Sequence, residues 1–360
     1  MASGIVNAVF LQDQKLRQLA ELIRLQEVRN MYHINFASLG DQLEYLRMAN
    51  DNMASVNTLL DECNAVVAHH GSHPVRGPVA RRILAYAEHC LNNALQLVRN
   101  YTLRRSYLDK MLDHHHQLFE ALDGLDVSTQ AAADDLVETI QEFDDMVMSY
   151  MRLSLNSFAS AEFSRYLRNV GIGFDELVRS HQTKLGLSGS FEDLEEDQKL
   201  EVYASIIEAS GRLTVLTRSD GPPPSISYRK KKPAYGSAAM HLMDIGQIIW
   251  DVYSSDHPIT TATREALVFA AEAGGAALGK LVGAAVATQL TGQAATTLFV
   301  TAMGLVGGFV GGFILGALAG FLFDLIFTSG GQRPLPTDGF ILYVAPMPNG
   351  NDIAKQIAYT

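Results

Sequence analysis

The sequence predicts a mainly α-helical protein: an elongated bundle of long antiparallel helices that carries a Gly/Ala-rich apolar helical hairpin and a small β element. Three observations predict it. Helix-breaking residues are nearly absent from the first 69 positions, where apolar residues recur in steps of three and four. A run of 43 residues from Leu281 to Phe323 contains no Asp, Glu, Lys, Arg or His, far beyond the apolar length of a core helix. Twelve of the 29 glycines fall between Gly274 and Gly320.

Composition narrows the class. Hydrophobic residues make up 48% and charged residues 19% of the 360 positions, which excludes wholesale disorder and collagen-like chains. The net charge of −11, from 28 basic and 39 acidic residues, argues against nucleic acid as a partner, because that affinity comes from clustered Lys and Arg.

The first element is predicted as one helix from Val6 to His69. Val28, Tyr32, Leu39, Leu46, Ala49, Met53, Val56, Leu60, Cys63 and Val67 mark its apolar seam. About 60 residues at a rise of about 1.5 Å make a rod of roughly 90 Å. His69 to Pro78 then stop it, with Gly71, Pro74, Gly77 and Pro78 as turn signals. A second helix is expected over 79–122, with Ile83, Ala87, Cys90, Ala94, Leu97, Leu108, His115 and Phe119 on its apolar side. In an antiparallel hairpin about this turn Cys63 and Cys90 lie level, which fits two small core residues or a disulfide.

Ser128 is placed to cap a third helix over 129–170, striped by Leu136, Ile140, Phe143 and Val147 and ended by Gly171 and Gly173. A fourth spans 174–185. An acidic-first helix follows from Phe191, with Gly211 as its C-terminal cap. Pro222-Pro223-Pro224 and Arg229-Lys230-Lys231-Lys232-Pro233 cannot continue a helix. Short β-like pieces at 213–217, 225–228 and 340–344 are candidates for one small sheet. The chain thus divides into a long-helix bundle over 1–211 and a linker with short β pieces over 212–236. A helix plus apolar hairpin occupies 237–330, and a C-terminal strand and tail 331–360.

The hairpin, 261–327, divides at Thr291-Gly292-Gln293 into two arms, each long enough for a hydrocarbon layer of about 30 Å. Gly304, Gly308, Gly312, Gly316 and Gly320 stand four apart, and Gly275, Gly279 and Gly283 repeat the spacing in the first arm. A glycine inside a water-exposed helix costs about 1 kcal/mol against alanine. Close backbone approach between helices in lipid is the physical reason to accept that cost. A buried helix pair in a soluble core and a permanent anchor are the rival readings. No aromatic belt and no adjacent basic cluster mark an anchor.

This combination of long helices with a strongly apolar, Gly/Ala-rich hairpin resembles the α-helical pore-forming toxins of the cytolysin A and haemolysin BL type, which include insecticidal relatives. The resemblance is architectural and covers about residues 5 to 345, with the hairpin placed late in this chain. It implies a soluble monomer that meets target-cell membrane lipids or a receptor, releases its hairpin and self-associates into an oligomeric pore. The alternative is a membrane-anchored helical structural or signalling protein.

The amino terminus has no basic n-region, so the expectation is soluble synthesis without a signal peptide and action at a target membrane. No phosphate loop, HExxH, GxSxG or EF-hand pattern occurs. No catalytic residue, metal or cofactor is expected. His69, His70, His73 and His114 to His116 bear on metal binding or acid sensing, but three adjacent histidines on a helix point in three directions. The expected first site of limited proteolysis by trypsin is Arg229 to Lys232. Cleavage that begins elsewhere would show that this basic, proline-flanked stretch is not the accessible linker.

Overall fold

The computed structural model describes residues 9–33, 39–98, 101–154, 158–211 and 348–359, with the short pieces 261–262, 332 and 342–343. The described chain is mainly helical, with nine α-helices among the described residues. They are α1 (Asp13–Asn30), α2 (Leu39–His70), α3 (Arg76–Gln96), α4 (Tyr101–Asp123), α5 (Gln130–Ser154), α6 (Phe158–Val170), α7 (Phe174–Lys184), α8 (Glu196–Ala209) and α9 (Gly350–Ala358). Thr261–Ala262 pair antiparallel with Leu342–Tyr343. The candidate β pieces at 213–217 and 225–228, the helix at 237–253 and nearly all of the 261–327 hairpin lie outside the described residues.

The three longest predicted helices are each divided. Residues 6–69 do not form one rod: α1 ends at Asn30, a 3-10 turn covers Met31–His33, and α2 begins at Leu39. The chain reverses between them, because Arg17 pairs with Asp61 at 2.8 Å, Arg24 reaches Asn50, and the Tyr45 hydroxyl donates to the Glu27 carbonyl. The physical reason is local. Asn30, His33, Asn35, Ser38 and Gly40 crowd this stretch, and all are weak helix formers. Seam residues Tyr32 and Leu39, assigned to the core from the spacing, are 80% and 69% exposed, whereas Ala49, Val56, Leu60 and Cys63 are buried.

Residues 79–122 are likewise a hairpin. Asn93 donates to the Tyr107 hydroxyl, and Tyr86 stacks on His115 farther along α4, a register that only antiparallel helices give. Arg105 reaches Ser55 and His116 reaches Glu62, so α4 runs parallel to α2. The Leu136, Ile140, Phe143 and Val147 stripe of α5 is buried as its spacing predicts and packs on α3. Residues 129–170 are divided into α5 and α6.

Helix α3 is the centre. It touches α1, α2, α4, α5 and α9, and from Tyr86 to Gln96 every residue except His89 is buried. Cys63 and Cys90 are both buried in this core and are not joined in a disulfide, and burial raises the pKa of the Cys63 thiol above its ordinary value. They pack as small apolar residues, and the disulfide reading is set aside.

Helices α7 and α8 pair with one another, with Phe191 against Tyr203 at their base. Gly211 caps α8 as its position in the sequence predicts. Its φ is +74° and its N–H donates to the Glu208 carbonyl, a left-handed turn that glycine enters without a Cβ penalty.

Residues 331–360 were expected to hold a strand and a tail, yet 350–358 form a helix. Ile353, Ala354 and Ile357 share one face of α9 and bury it against α1 and α3. A nine-residue helix is too short to persist alone in water, so tertiary packing makes it. The backbones meet closely: a Cβ built on Gly350 would overlap the Leu95 carbonyl of α3. Gly350→Ala is expected to lift α9 off α3 at a cost of about 1–3 kcal/mol, the range for overpacking a filled site. A urea melt unchanged by this substitution would show that α9 does not bear on the fold.

Candidate functional site

The residues singled out for helix packing in a membrane, Gly275, Gly279, Gly283, Gly304, Gly308, Gly312, Gly316 and Gly320, all lie outside the described residues. The structure shows the polar contacts that hold α1, α4, α5 and α9 around α3.

Glu88, Asn92 and Gln96 stand four apart on α3, so they form one row along the helix. All three are buried, and each is spent on backbone or amide groups of other elements. Asn92 accepts from the Leu11 N–H at 2.9 Å and from Gln96, and it donates to the carbonyls of Leu11 and Glu88 at 2.8 Å each. All four of its hydrogen-bonding positions are filled. Gln96 donates to the Val9 carbonyl at 2.8 Å and accepts from Asn351 of α9 at 3.3 Å. The Glu88 carboxylate accepts from the Asp13 N–H at 3.0 Å. Burial raises the Glu88 pKa, and that hydrogen bond works in the opposite direction.

The row therefore binds residues 9–13 as an extended strap running antiparallel to α3. Asp13 then turns the chain back with φ +26°, and its carboxylate takes Arg17 one turn into α1 at 2.9 Å. Lys15 donates to the Ile357 carbonyl at 3.2 Å, a cation on the negative end of α9. The two ends of the described chain are in this way fastened to the same stretch of α3.

Two further buried clusters close the core. On α5, Asp144 is buried and takes His89 Nδ1 at 2.5 Å and Arg82 at 3.1 Å, both from α3. At the opposite end of α3, Glu27 of α1 and Arg104 of α4 meet at 2.6 Å, each only 1% exposed. Arg104 Nε also donates to the Val98 carbonyl at 3.0 Å. Tyr45 and Tyr101 cross edge to face beside the pair, 4.9 Å between ring centres, and Asn52 donates to the Tyr101 carbonyl. Glu27 continues the buried stripe Leu16, Leu19, Ala20 and Ile23 of α1. A charge in that register is the one signal in the sequence that could have announced the pair.

The histidines divide by environment. His70 Nε2 meets Asp123 at 3.0 Å, and His73 Nδ1 accepts from the N–H groups of Val75 and Arg76 in the α2–α3 turn. His114 and His115 are buried beside Tyr86 and Phe143, while His116 is exposed and meets Glu62. Among the described residues no group of three or more His, Cys, Asp or Glu could hold a metal ion. No helix among them is long and apolar enough to cross a membrane. These clusters position helices.

Removing one partner of a buried ion pair leaves the other charge without compensation. Arg104→Met is therefore expected to cost about 3–5 kcal/mol in a denaturant melt, and Glu27→Leu added to it should restore much of the loss. If the double substitution loses as much as the two singles added together, the pair is not coupled.

No family model, curated protein or solved structure matches this chain.

Proposed function

We propose that the chain is an α-helical pore-forming toxin or defence protein, made as a soluble monomer, whose glycine-rich hairpin enters target membranes and oligomerises to permeabilise them. One observation carries the reading: the chargeless run from Leu281 to Phe323, with Gly304, Gly308, Gly312, Gly316 and Gly320 at unbroken spacing of four. In lipid, where no hydrophobic force draws helices together, association rests on close backbone packing, and small residues every four positions allow it. In water the same residues carry only their helix-propensity cost.

The chain path supports the reading. The apolar segment follows α8 and precedes α9, and α9 packs on α1 and α3. A long apolar excursion bounded by two folded helices can move outward without unthreading the rest of the chain. In this reading the helices form an elongated antiparallel bundle, with a small sheet at the base of the hairpin. Target-cell lipids or a receptor, together with further copies of the chain, are the partners, and insecticidal use belongs to the same class.

Gly308→Leu and Gly312→Leu make the test. Either side chain separates packed helices by several ångströms without making the segment less apolar. The expected outcome is retained binding to lipid vesicles with strongly reduced dye release. A simple anchor tolerates leucine at both positions, so release equal to that of the parent protein would overturn the pore reading.

A further inference from the structure

One buried titratable side chain at the middle of the core has no structural duty that requires a titratable group. His115 is fully buried on α4. Its ring stacks on Tyr86 of α3, 5.1 Å between centres and 18° from parallel, and lies near Phe119 at 6.5 Å. Nδ1 is 2.8 Å from the Met111 carbonyl one turn back. A carbonyl only accepts, so Nδ1 carries the proton and Nε2 carries the lone pair. That Nε2 is buried without a hydrogen-bond partner among the described residues. A second proton there would create a charged donor with no acceptor among the described residues, against the face of Tyr86.

Among the described residues no ionisable group lies within hydrogen-bond reach of Nε2. His114 and His116 flank it on α4 and repel a cation. From α5 come Phe143, 5.1 Å from His114, and Asp144, whose carboxylate is already taken by His89 and Arg82 of α3. From α2 come Glu62, engaged by His116, and Cys63, a buried thiol. From α3, besides Tyr86, comes Glu88, which holds the Asp13 N–H.

We propose that His115 is an acid-sensitive latch: taking up a proton at Nε2 forces α4 away from Tyr86 and α3 and so loosens the core. Burial, with smaller contributions from the neighbouring histidines, pushes its pKa down to about 3, against an ordinary value of about 6.5. A folded-state value below the unfolded one means that the unfolded chain binds the extra proton. Stability from this site is complete above about pH 6.5 and drains away as the pH falls toward 3. For one such site the unfolding constant rises roughly tenfold per pH unit between about pH 6 and pH 4. The step from a loosened core to release of the apolar hairpin rests on the pore-forming reading; the latch itself does not.

The test compares denaturant melts of the full chain and of His115→Gln between pH 4 and 7. Proton uptake on unfolding is expected to fall by about one in the variant, so its unfolding constant rises about tenfold less per unit of acidification. Equal slopes would overturn the latch. A direct measurement on the parent serves even if the variant fails to fold: with isotope-labelled histidine, the His115 ring is expected to stay neutral, protonated at Nδ1, at pH 5. A ring that titrates near 6.5 in the folded protein would overturn it equally. Dye release from vesicles at pH 5 and 7 separates the two claims. A slope difference with no release at either pH supports the latch and removes the pore reading, whereas release whose pH dependence survives in His115→Gln counts against the latch.

Discussion

A helix segment enclosed by its neighbours must satisfy its polar groups from them, and residues 86–96 of α3 are such a segment, with Glu88, Asn92, Asn93 and Gln96 inside the enclosure. An unpaired amide in an apolar interior costs on the order of 1–3 kcal/mol. The row on α3 therefore dictates where other elements sit: the strap of residues 9–13 against Asn92 and Gln96, α9 against Gln96, and α4 against Asn93 through Tyr107. Apolar stripes bring α2 and α5 to α3 without direction. The amide row supplies the register that apolar contact lacks.

The same demand explains the ion pairs. Arg104 and Glu27 sit where α1, α2 and α4 converge, and Asp144 sits where α5 crosses α3. Buried Arg104 has the Val98 carbonyl besides Glu27, and buried Asp144 has both Arg82 and His89, so these charges are compensated, the condition under which a buried pair is tolerated. Such pairs contribute less to net stability than to the choice of one arrangement over its near relatives. A helix slipped by one turn would bury a carboxylate alone.

Stability is thus concentrated around α3, and the described chain resumes after α8 chiefly as a nine-residue helix packed on that core. Helix α9 is anchored by three apolar residues, one amide bond and one lysine. An element of that size opens more readily than the core it covers. His115 lies in the core itself, on the α3–α4 contact, so the proposed latch would act on the frame.

Periodicity and punctuation made part of this protein legible from the residues alone. The helical class follows from apolar spacing, the buried stripe of α5 from Leu136, Ile140, Phe143 and Val147, and the end of α8 from Gly211, because each depends on local stereochemistry or on one helix face. The apolar run from Leu281 to Phe323 is equally plain, since it needs no partner to be recognised. Reversals at 31–38 and 97–100 were not legible: weak helix formers such as Asn30, Asn35 and Asn100 permit a turn, but only the packing of α1 on α2 and of α3 on α4 makes the turn more stable than a continued rod. Helix α9 was hidden for the same reason, its nine residues being helical only against α1 and α3. Nothing in the apolar spacing singles out the row Glu88, Asn92, Gln96. Tertiary structure alone decides that it is buried, because what covers it, Val9, Leu11 and Asn351, comes from the two distant ends of the chain.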